Sequence, residues 1–258
     1  LDALWAHAEI ASIGIDNYMP LSDWRDADHG GGNLDGFETP YDIDGMMAAI
    51  AGGEGFDWYY ADVAARAAGE RSPITDGSGK PWVYRYKDLV NWWSNNHYDR
   101  VGGVEASTPT AWTPRSKPIW FTELGCPAVD KGPNQPNVFP DPKSSESASP
   151  YFSSGGRSDI AQRNFIEAHQ RYWDPTVEGF EDARNPVGPG GWRMLDHTRT
   201  LLWAWDARPF PAFPTREDEW RDGGNWHLGH WLNGRLESSS CSDLINRILA
   251  DHGVEEAD

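Results

Sequence analysis

The chain has 258 residues, and its 22 basic and 40 acidic side chains give a formal net charge of −18 at pH 7. This balance argues against nucleic acid or an anionic membrane surface as a partner, because both bind clusters of Lys and Arg. The length suits one large core or two small domains. No apolar run reaches the roughly 18 residues that a membrane-spanning helix needs.

The first predicted element is a short strand over residues 10–18, which is rich in Ile and ends in polar side chains. It presents Asp16, Asn17 and Tyr18 where a strand of a parallel α/β barrel opens towards a ligand. Trp24 lies in the irregular connection that follows. Asp16 is a candidate acid/base, and the alternative is a carboxylate that orients Tyr18 or a loop backbone.

The next part of the chain is predicted to contain short helices, because apolar and aromatic residues recur there at helical spacing. Gly-rich and Pro-rich stretches separate them. The predicted helices cover residues 42–51, 56–68 and 86–93, a turn region covers 72–80, and a loop covers 95–116.

The most informative segment is residues 117–125, with the sequence KPIWFTELG. It is typical of a short buried strand that delivers one carboxylate, Glu123, to its C-terminal end, where Gly125 breaks the run. Active sites of parallel barrels lie at that end of the strands. Glu123 is therefore the leading catalytic candidate, and the alternative is a buried carboxylate paired with an arginine such as Arg208.

A third strand is predicted over residues 200–206, after a long irregular region over 126–157 and a helix over 158–173. Trp203, Trp205 and Asp206 lie in the C-terminal half of that strand. The chain contains 15 tryptophans, and an indole ring stacks well on the apolar face of a pyranose. The alternative for any one of them is ordinary packing.

No metal or cofactor is predicted. Cys126 and Cys241 have none of the metal or redox spacings, and His227 with His230 lacks a nearby third ligand. A Gly-rich phosphate loop and a Ser-His-Asp arrangement are also absent from the sequence. The chemistry predicted for this chain therefore rests on carboxylates and aromatic rings.

Several long motifs resemble one known family, the glycoside-hydrolase TIM-barrel-like domain of the large tail-tip protein of gene transfer agents and related phage tails. The motifs are unusual enough to make the resemblance specific. They cover residues 13–25, 117–132, 141–147, 203–211 and 225–231.

The resemblance implies a (β/α)8 TIM-barrel-like fold of the glycosidase type. We expect residues 1–236 to form the C-terminal part of that barrel, beginning near its sixth strand, and residues 237–258 to be a Ser-rich hinge and helix leading into the next tail domain. The implied location is the tail tip of a virion-like particle that is assembled in the cytoplasm and then released. The implied partners are cell-envelope polysaccharide and other baseplate proteins, and the implied assembly is a homotrimer.

The resemblance also assigns roles to the candidate residues. Glu123 corresponds to the nucleophile of retaining glycosidases, and the family's acid/base belongs to an upstream strand. Within this chain the candidate substitutes are Asp16 and Asp206 at strand ends, and Asp23 and Glu146 in loops. We expect the sugar to be bound by residues Asn17, Tyr18, Trp24, Trp203, Trp205 and Asp206. The alternatives are a glycan-binding adhesion domain without turnover and a purely structural baseplate module.

Overall fold

The computed structural model describes residues 2–28, 33–140 and 147–203, together with residues 216 and 218. The strands are β1 (Ile13–Asn17), β2 (Trp58–Tyr59), β3 (Ser72–Pro73), β4 (Arg100–Val101), β5 (Val104–Glu105), β6 (Ile119–Leu124) and β7 (Leu195–Leu202). The α-helices are α1 (Asp2–Trp5), α2 (Ile43–Ile50), α3 (Val63–Ala68), α4 (Leu89–Ser94) and α5 (Asp159–Trp173). Short 3-10 helices cover Asp26–Asp28, Pro81–Val83 and Gly132–Asn134.

The chain divides into two compact units that alternate along the sequence. Unit 1 comprises Leu1–Asn17, Ala51–Leu124 and His169–Leu201, and unit 2 comprises Tyr18–Ile50, Gly125–Ala168 and Leu202–Asp258. The predicted hinge and helix at residues 237–258 lie outside the described residues.

The main sheet has three strands in the order β1-β6-β7, and β1 pairs with β6 in parallel. Two small antiparallel pairs, β2-β3 and β4-β5, accompany it in unit 1. Mixed α/β content with a parallel strand pair agrees with the predicted fold class. Within the described ranges, however, the strands do not close into a barrel.

The core of unit 1 forms where apolar residues of the sheet meet large aromatic side chains. Trp93 is fully buried, and its indole nitrogen donates a hydrogen bond to the carbonyl oxygen of Lys117 at 2.7 Å. The other buried apolar side chains of this core include Ile13, Trp112, Ile119, Phe121, Leu124, Trp173, Met194 and Leu195.

In unit 2, a side chain of α5 is tied to the segment that precedes α2. The amide nitrogen of Asn164 donates to the carbonyl oxygen of Tyr41 at 2.7 Å, and Met46 and Phe165 are fully buried. The described part of the region predicted to be irregular contains one 3-10 turn and otherwise little regular structure. Asp130 organises it, because its carboxylate accepts hydrogen bonds from the backbone nitrogens of Ser154 and Gly156.

Three predicted elements agree closely with the structure: the strand that carries Glu123 and the helices at 42–51 and 158–173. The helix predicted over residues 56–68 is wrong in its first half, which contains strand β2. Its true start is fixed by Asp62, whose carboxylate accepts from the backbone nitrogen of Ala65 at 2.8 Å. Gly69 ends it in the left-handed conformation.

Three other boundaries are corrected. The helix predicted over 86–93 begins only at Leu89, because Asp88 caps it by accepting from the nitrogen of Asn91. The loop predicted over 95–116 contains the β4-β5 hairpin, whose turn is formed by two glycines with positive φ. The strand predicted over 200–206 begins earlier and ends at Leu202, so that Trp203 follows it.

Candidate active site

The two candidate carboxylates lie side by side at the C-terminal end of the parallel strand pair. In the register of β1 and β6, Asp16 is the direct partner of Glu123. Neighbouring strands are about 4.8 Å apart, which brings the two backbones into adjacent positions. Residues 106 positions or more apart in the sequence thus meet at the edge where parallel α/β folds place their chemistry.

A β-bulge sets the direction of the Glu123 side chain. The register runs Ile15 with Phe121 and then Asp16 with Glu123, so that Thr122 is the extra residue in β6. Along β1, Ile13 and Asn17 are buried while Asp16 is exposed, as regular alternation requires. In β6 the buried positions change phase, from Ile119 and Phe121 to Leu124. The bulge therefore turns Thr122 and Glu123 towards the exposed face that carries Asp16.

The Asp16 carboxylate is held in place from the neighbouring strand. The Thr122 hydroxyl donates a hydrogen bond to Asp16 Oδ1 at 2.8 Å. Gly14 leaves room for this threonine, since a Cβ atom at position 14 would lie 3.0 Å from Thr122 Cγ2. Asp16 remains exposed and Glu123 is half-buried. Both carboxylates lie on the face of the strand pair that solvent reaches.

An aromatic side chain shares this face. Trp120 is half-buried and is the register partner of Gly14. The next pair, Ile15 with Phe121, is the last one before the bulge. The guanidinium group of Arg199 stacks over its ring at 5.3 Å from the centroid. Trp120 cannot be recognised as a site residue from the sequence, because an apolar run does not show which of its residues lie on an open face. Once the strand is assigned, Trp120 can be placed on the same face as Thr122, because residues two positions apart in a strand share a face.

The opposite face of β6 rests on α5. Phe121 is fully buried and makes edge-to-face contacts with His169, at 5.9 Å between centroids, and with Trp173, at 6.0 Å. The indole nitrogen of Trp173 donates to His169 Nδ1 at 3.2 Å. Burial first, and then the charge of Lys87, lowers the pKa of His169 to about 3. The strand that carries Glu123 is therefore supported by a neutral imidazole at pH 7.

Asn17 lies on the buried face. Only 1% of its surface is exposed, and its register partner Leu124 is completely buried. The predicted ligand Asn17 therefore points away from the face shared by Asp16 and Glu123. This follows from the uninterrupted alternation of β1.

The remaining predicted sugar ligands belong to unit 2, where their environments differ. Tyr18 is half-buried and makes an edge-to-face contact with Phe139 at 6.1 Å between centroids. Trp203 is 44% exposed, which leaves indole surface available for stacking. Trp205 and Asp206 lie outside the described residues, as does Arg208, the alternative partner of Glu123.

Trp24 is a core residue of unit 2, because only 1% of its surface is exposed. The Asn134 side chain holds its backbone from both sides, accepting from the Trp24 nitrogen at 3.0 Å and donating to the Trp24 carbonyl oxygen at 2.8 Å. The Ser22 hydroxyl also donates to Asn134 at 2.5 Å. As described, the indole ring of Trp24 offers a sugar no exposed face.

Two further findings concern metal ligands and membrane spans. Across residues 2–28, 33–140 and 147–203, no group of three or more His, Cys, Asp or Glu side chains has an arrangement that would hold a metal ion. In the same part of the chain, no helix combines the length and the apolar character needed to cross a bilayer.

A parallel strand pair with carboxylates at its C-terminal end is typical of an α/β protein with a candidate site on its open face. Comparison with family models identifies the group: the model of the GTA TIM-barrel-like domain matches residues 1–214. The chain belongs to this family, as its motifs predicted, and membership indicates a component of a gene transfer agent. Comparison with curated proteins and with solved structures gives no match.

Proposed function

We propose that this chain is a carbohydrate-directed domain of a gene transfer agent tail, and that it hydrolyses cell-envelope polysaccharide with Glu123 as the nucleophile. The observation that carries this proposal is the register pairing of Asp16 with Glu123, with both side chains on the exposed face. A retaining glycosidase needs two carboxyl groups about 5 to 5.5 Å apart, and adjacent positions on neighbouring strands bring side chains to about that spacing.

The chemistry follows the two-step route of retaining enzymes. A Glu123 oxygen attacks the anomeric carbon while the bond to the leaving sugar breaks and that sugar's oxygen takes a proton from the acid. Water then cleaves the glycosyl ester, giving up its proton to the same group and restoring Glu123. Within this chain we assign the acid/base role to Asp16, which Thr122 orients.

Aromatic side chains supply the binding surface in this proposal. Trp120 lies on the face that carries the carboxylates, and its ring would pack against a pyranose. Trp203 and Tyr18 are proposed as sugar-contacting residues of unit 2, supported by their exposed or half-exposed rings. Trp205 and Asp206 keep their proposed roles on the strength of the motif alone.

Family membership supports a proposal about the setting of this function. We place the domain at the tail tip of a virion-like particle, in contact with other baseplate proteins and assembled as a homotrimer in the cytoplasm before release. The formal charge of −18 supports a partner that is neither nucleic acid nor an anionic membrane.

The test is release of reducing ends from purified bacterial envelope polysaccharide. The assay uses the purified chain. We expect Glu123→Gln to abolish release while glycan binding persists. We expect Asp16→Asn to lower the rate by about 10²- to 10⁴-fold, the usual contribution of a general acid/base. Glu9→Gln, which changes an exposed carboxylate, is the matched control.

The outcomes separate the three candidate functions. Release that survives Glu123→Gln would refute the assigned nucleophile. Binding without release in every protein would identify an adhesion domain, in which Trp203→Ala weakens binding and Glu123→Gln does not. An unchanged melting temperature with all envelope glycans, together with no release, would identify a structural baseplate module.

A further inference from the structure

Unit 1 contains a cavity that the chemistry of Glu123 does not use. Its volume is about 530 Å³, which lies within the range of small-molecule sites. The β2-β3 pair and the segments beside it form its walls. The side chains that matter for its chemistry are those of Glu54, Tyr59, Thr75, Asp76, Tyr84 and Tyr86.

Three tyrosines line this cavity, and all three are open to solvent. Tyr59 is 48% exposed, and Tyr84 and Tyr86 are each 52% exposed. An aromatic ring that large is usually more covered in a folded domain, where it contributes to the core. Three half-exposed phenol rings around one concave surface provide apolar faces with a hydroxyl group at the edge of each.

Arginine side chains hold the two carboxylates of the cavity, Glu54 and Asp76, in place. Arg66 forms two hydrogen bonds with the Glu54 carboxylate, and its guanidinium group stacks over Tyr60 at 4.5 Å from the centroid. Arg100 in turn binds both oxygens of Asp76, at 2.7 and 3.1 Å. These pairs fix the orientation of the carboxylates, so that a ligand meets acceptors that are already in place.

The charges around the cavity are balanced. Arg100 also binds Glu105 at 3.1 Å, and Lys80 binds the same carboxylate at 2.6 Å. The acidic groups Glu54, Asp76 and Glu105 are thus matched by Arg66, Arg100 and Lys80, each cation being engaged by a carboxylate. An anionic ligand would have to compete for cations that already have partners, and a cationic one would meet carboxylates that are already neutralised.

One glycine shapes the wall beneath Tyr86. A Cβ atom at Gly55 would overlap the phenol ring of Tyr86, and Gly55 has φ of +81°, a conformation that suits glycine. The backbone therefore passes directly beneath the tyrosine ring. Gly55 and Tyr86 both line the cavity.

We propose that this tyrosine-lined cleft binds a short, neutral oligosaccharide, at a site separate from the Asp16/Glu123 pair. The phenol rings of Tyr59, Tyr84 and Tyr86 pack against the C–H faces of pyranose rings. The oriented carboxylates, with the Thr75 hydroxyl, accept or donate hydrogen bonds to sugar hydroxyls. This inference does not rest on turnover at Glu123, since the cleft functions as a binding site alone.

The test is isothermal titration calorimetry of the chain with three probes: cellotriose, triacetylchitotriose and the anionic trigalacturonate. We expect at least one neutral probe to bind, and trigalacturonate to bind more weakly than that probe. Tyr86→Ala and Tyr59→Ala should each raise the Kd about tenfold, as loss of one stacked ring predicts. Tyr86→Phe, which keeps the ring, should have a smaller effect.

Trp192→Ala is the matched control, because it removes a 40% exposed aromatic side chain that does not line the cavity. The melting temperature of each variant is measured to confirm that it is folded. Tyr59→Phe, which keeps the ring, is a second conservative variant. The proposal is overturned if neither neutral probe binds, if binding is unchanged in the tyrosine-to-alanine variants, or if trigalacturonate binds as tightly as the neutral sugars. Titration of Glu123→Gln keeps this result separate from the hydrolase test, since binding in the cleft should persist there.

Discussion

The buried histidine behind β6 makes the stability of this protein sensitive to mild acid. Only 3% of His169 is exposed, and its pKa is lowered from 6.5 to about 3, mainly by burial. A histidine with a depressed pKa stays neutral in the native state, while the unfolded chain takes up a proton as the pH falls below 6.5. The stability that the neutral His169 contributes is therefore fully present above pH 6.5 and is lost progressively down to about pH 3.

The size of the effect follows from the two pKa values. Each pH unit below 6.5 costs up to about 1.4 kcal/mol, and integration from pH 7 to pH 5 gives a loss of about 2 kcal/mol. An aspartate with an ordinary or lowered pKa contributes little in this window, because it stays ionised in both states. Comparison with a variant that lacks His169 then separates its contribution from those of the other histidines.

Urea unfolding of the wild type and His169→Gln at pH 7, 6 and 5 measures the effect. Glutamine retains a side-chain acceptor for the indole nitrogen of Trp173 but does not titrate. We expect the drop in unfolding free energy between pH 7 and pH 5 to be about 2 kcal/mol smaller in this variant. His7→Gln, which removes an exposed histidine, should leave the drop as in the wild type. Equal drops in the wild type and His169→Gln would refute the reasoning.

Two further predictions concern unit 2. Gly125→Ala should lower the unfolding free energy by about 1–3 kcal/mol, because the new Cβ would overlap the Trp203 carbonyl oxygen, whereas Gly77→Ala meets no atom within 4 Å and should be neutral in the same urea assay. Asp130→Asn should speed limited proteolysis within residues 147–158, because it weakens the hydrogen bonds that Asp130 accepts there. Burial acts to raise the pKa of Asp130, but the Ser154 backbone hydrogen bond and the charge of Lys131 keep this pKa low. The wild type is therefore more resistant than the variant above about pH 4, and this difference disappears as the pH falls further.

The sequence predicts the carboxylates better than it predicts their surroundings. The apolar run before Glu123 and the Ile-rich run before Asp16 identify two strands and the ends at which these residues lie. Their mutual register is a property of pairing between segments more than 100 residues apart, so no local pattern reveals it. The bulge at Thr122 is hidden for the same reason.

Tryptophan shows where residue type alone is insufficient. Trp24 and Trp203 are alike as sequence signals, yet one is 1% exposed and the other 44%. Asn134 binds the backbone N–H and C=O of Trp24 from 110 positions away, a long-range contact that no local pattern reveals. The three tyrosines of the cleft were missed because Tyr86 lies in the helix predicted over 86–93 and Tyr59 in the incorrect first half of the helix predicted over 56–68. Tyr84 lies between the predicted elements.

The bulge also explains how this strand can carry a carboxylate at all. Without the extra residue, alternation would place Glu123 on the same face as Phe121, where His169 and Trp173 form a tightly packed apolar surface. Burying an ionised carboxylate there would cost several kcal/mol, and the neutral His169 could not offset it. By turning Glu123 to the side of Asp16, the bulge preserves the packing on one face and leaves two carboxylates together on the other. A stable core and an open edge with two carboxylates can thus be built with the same six-residue strand.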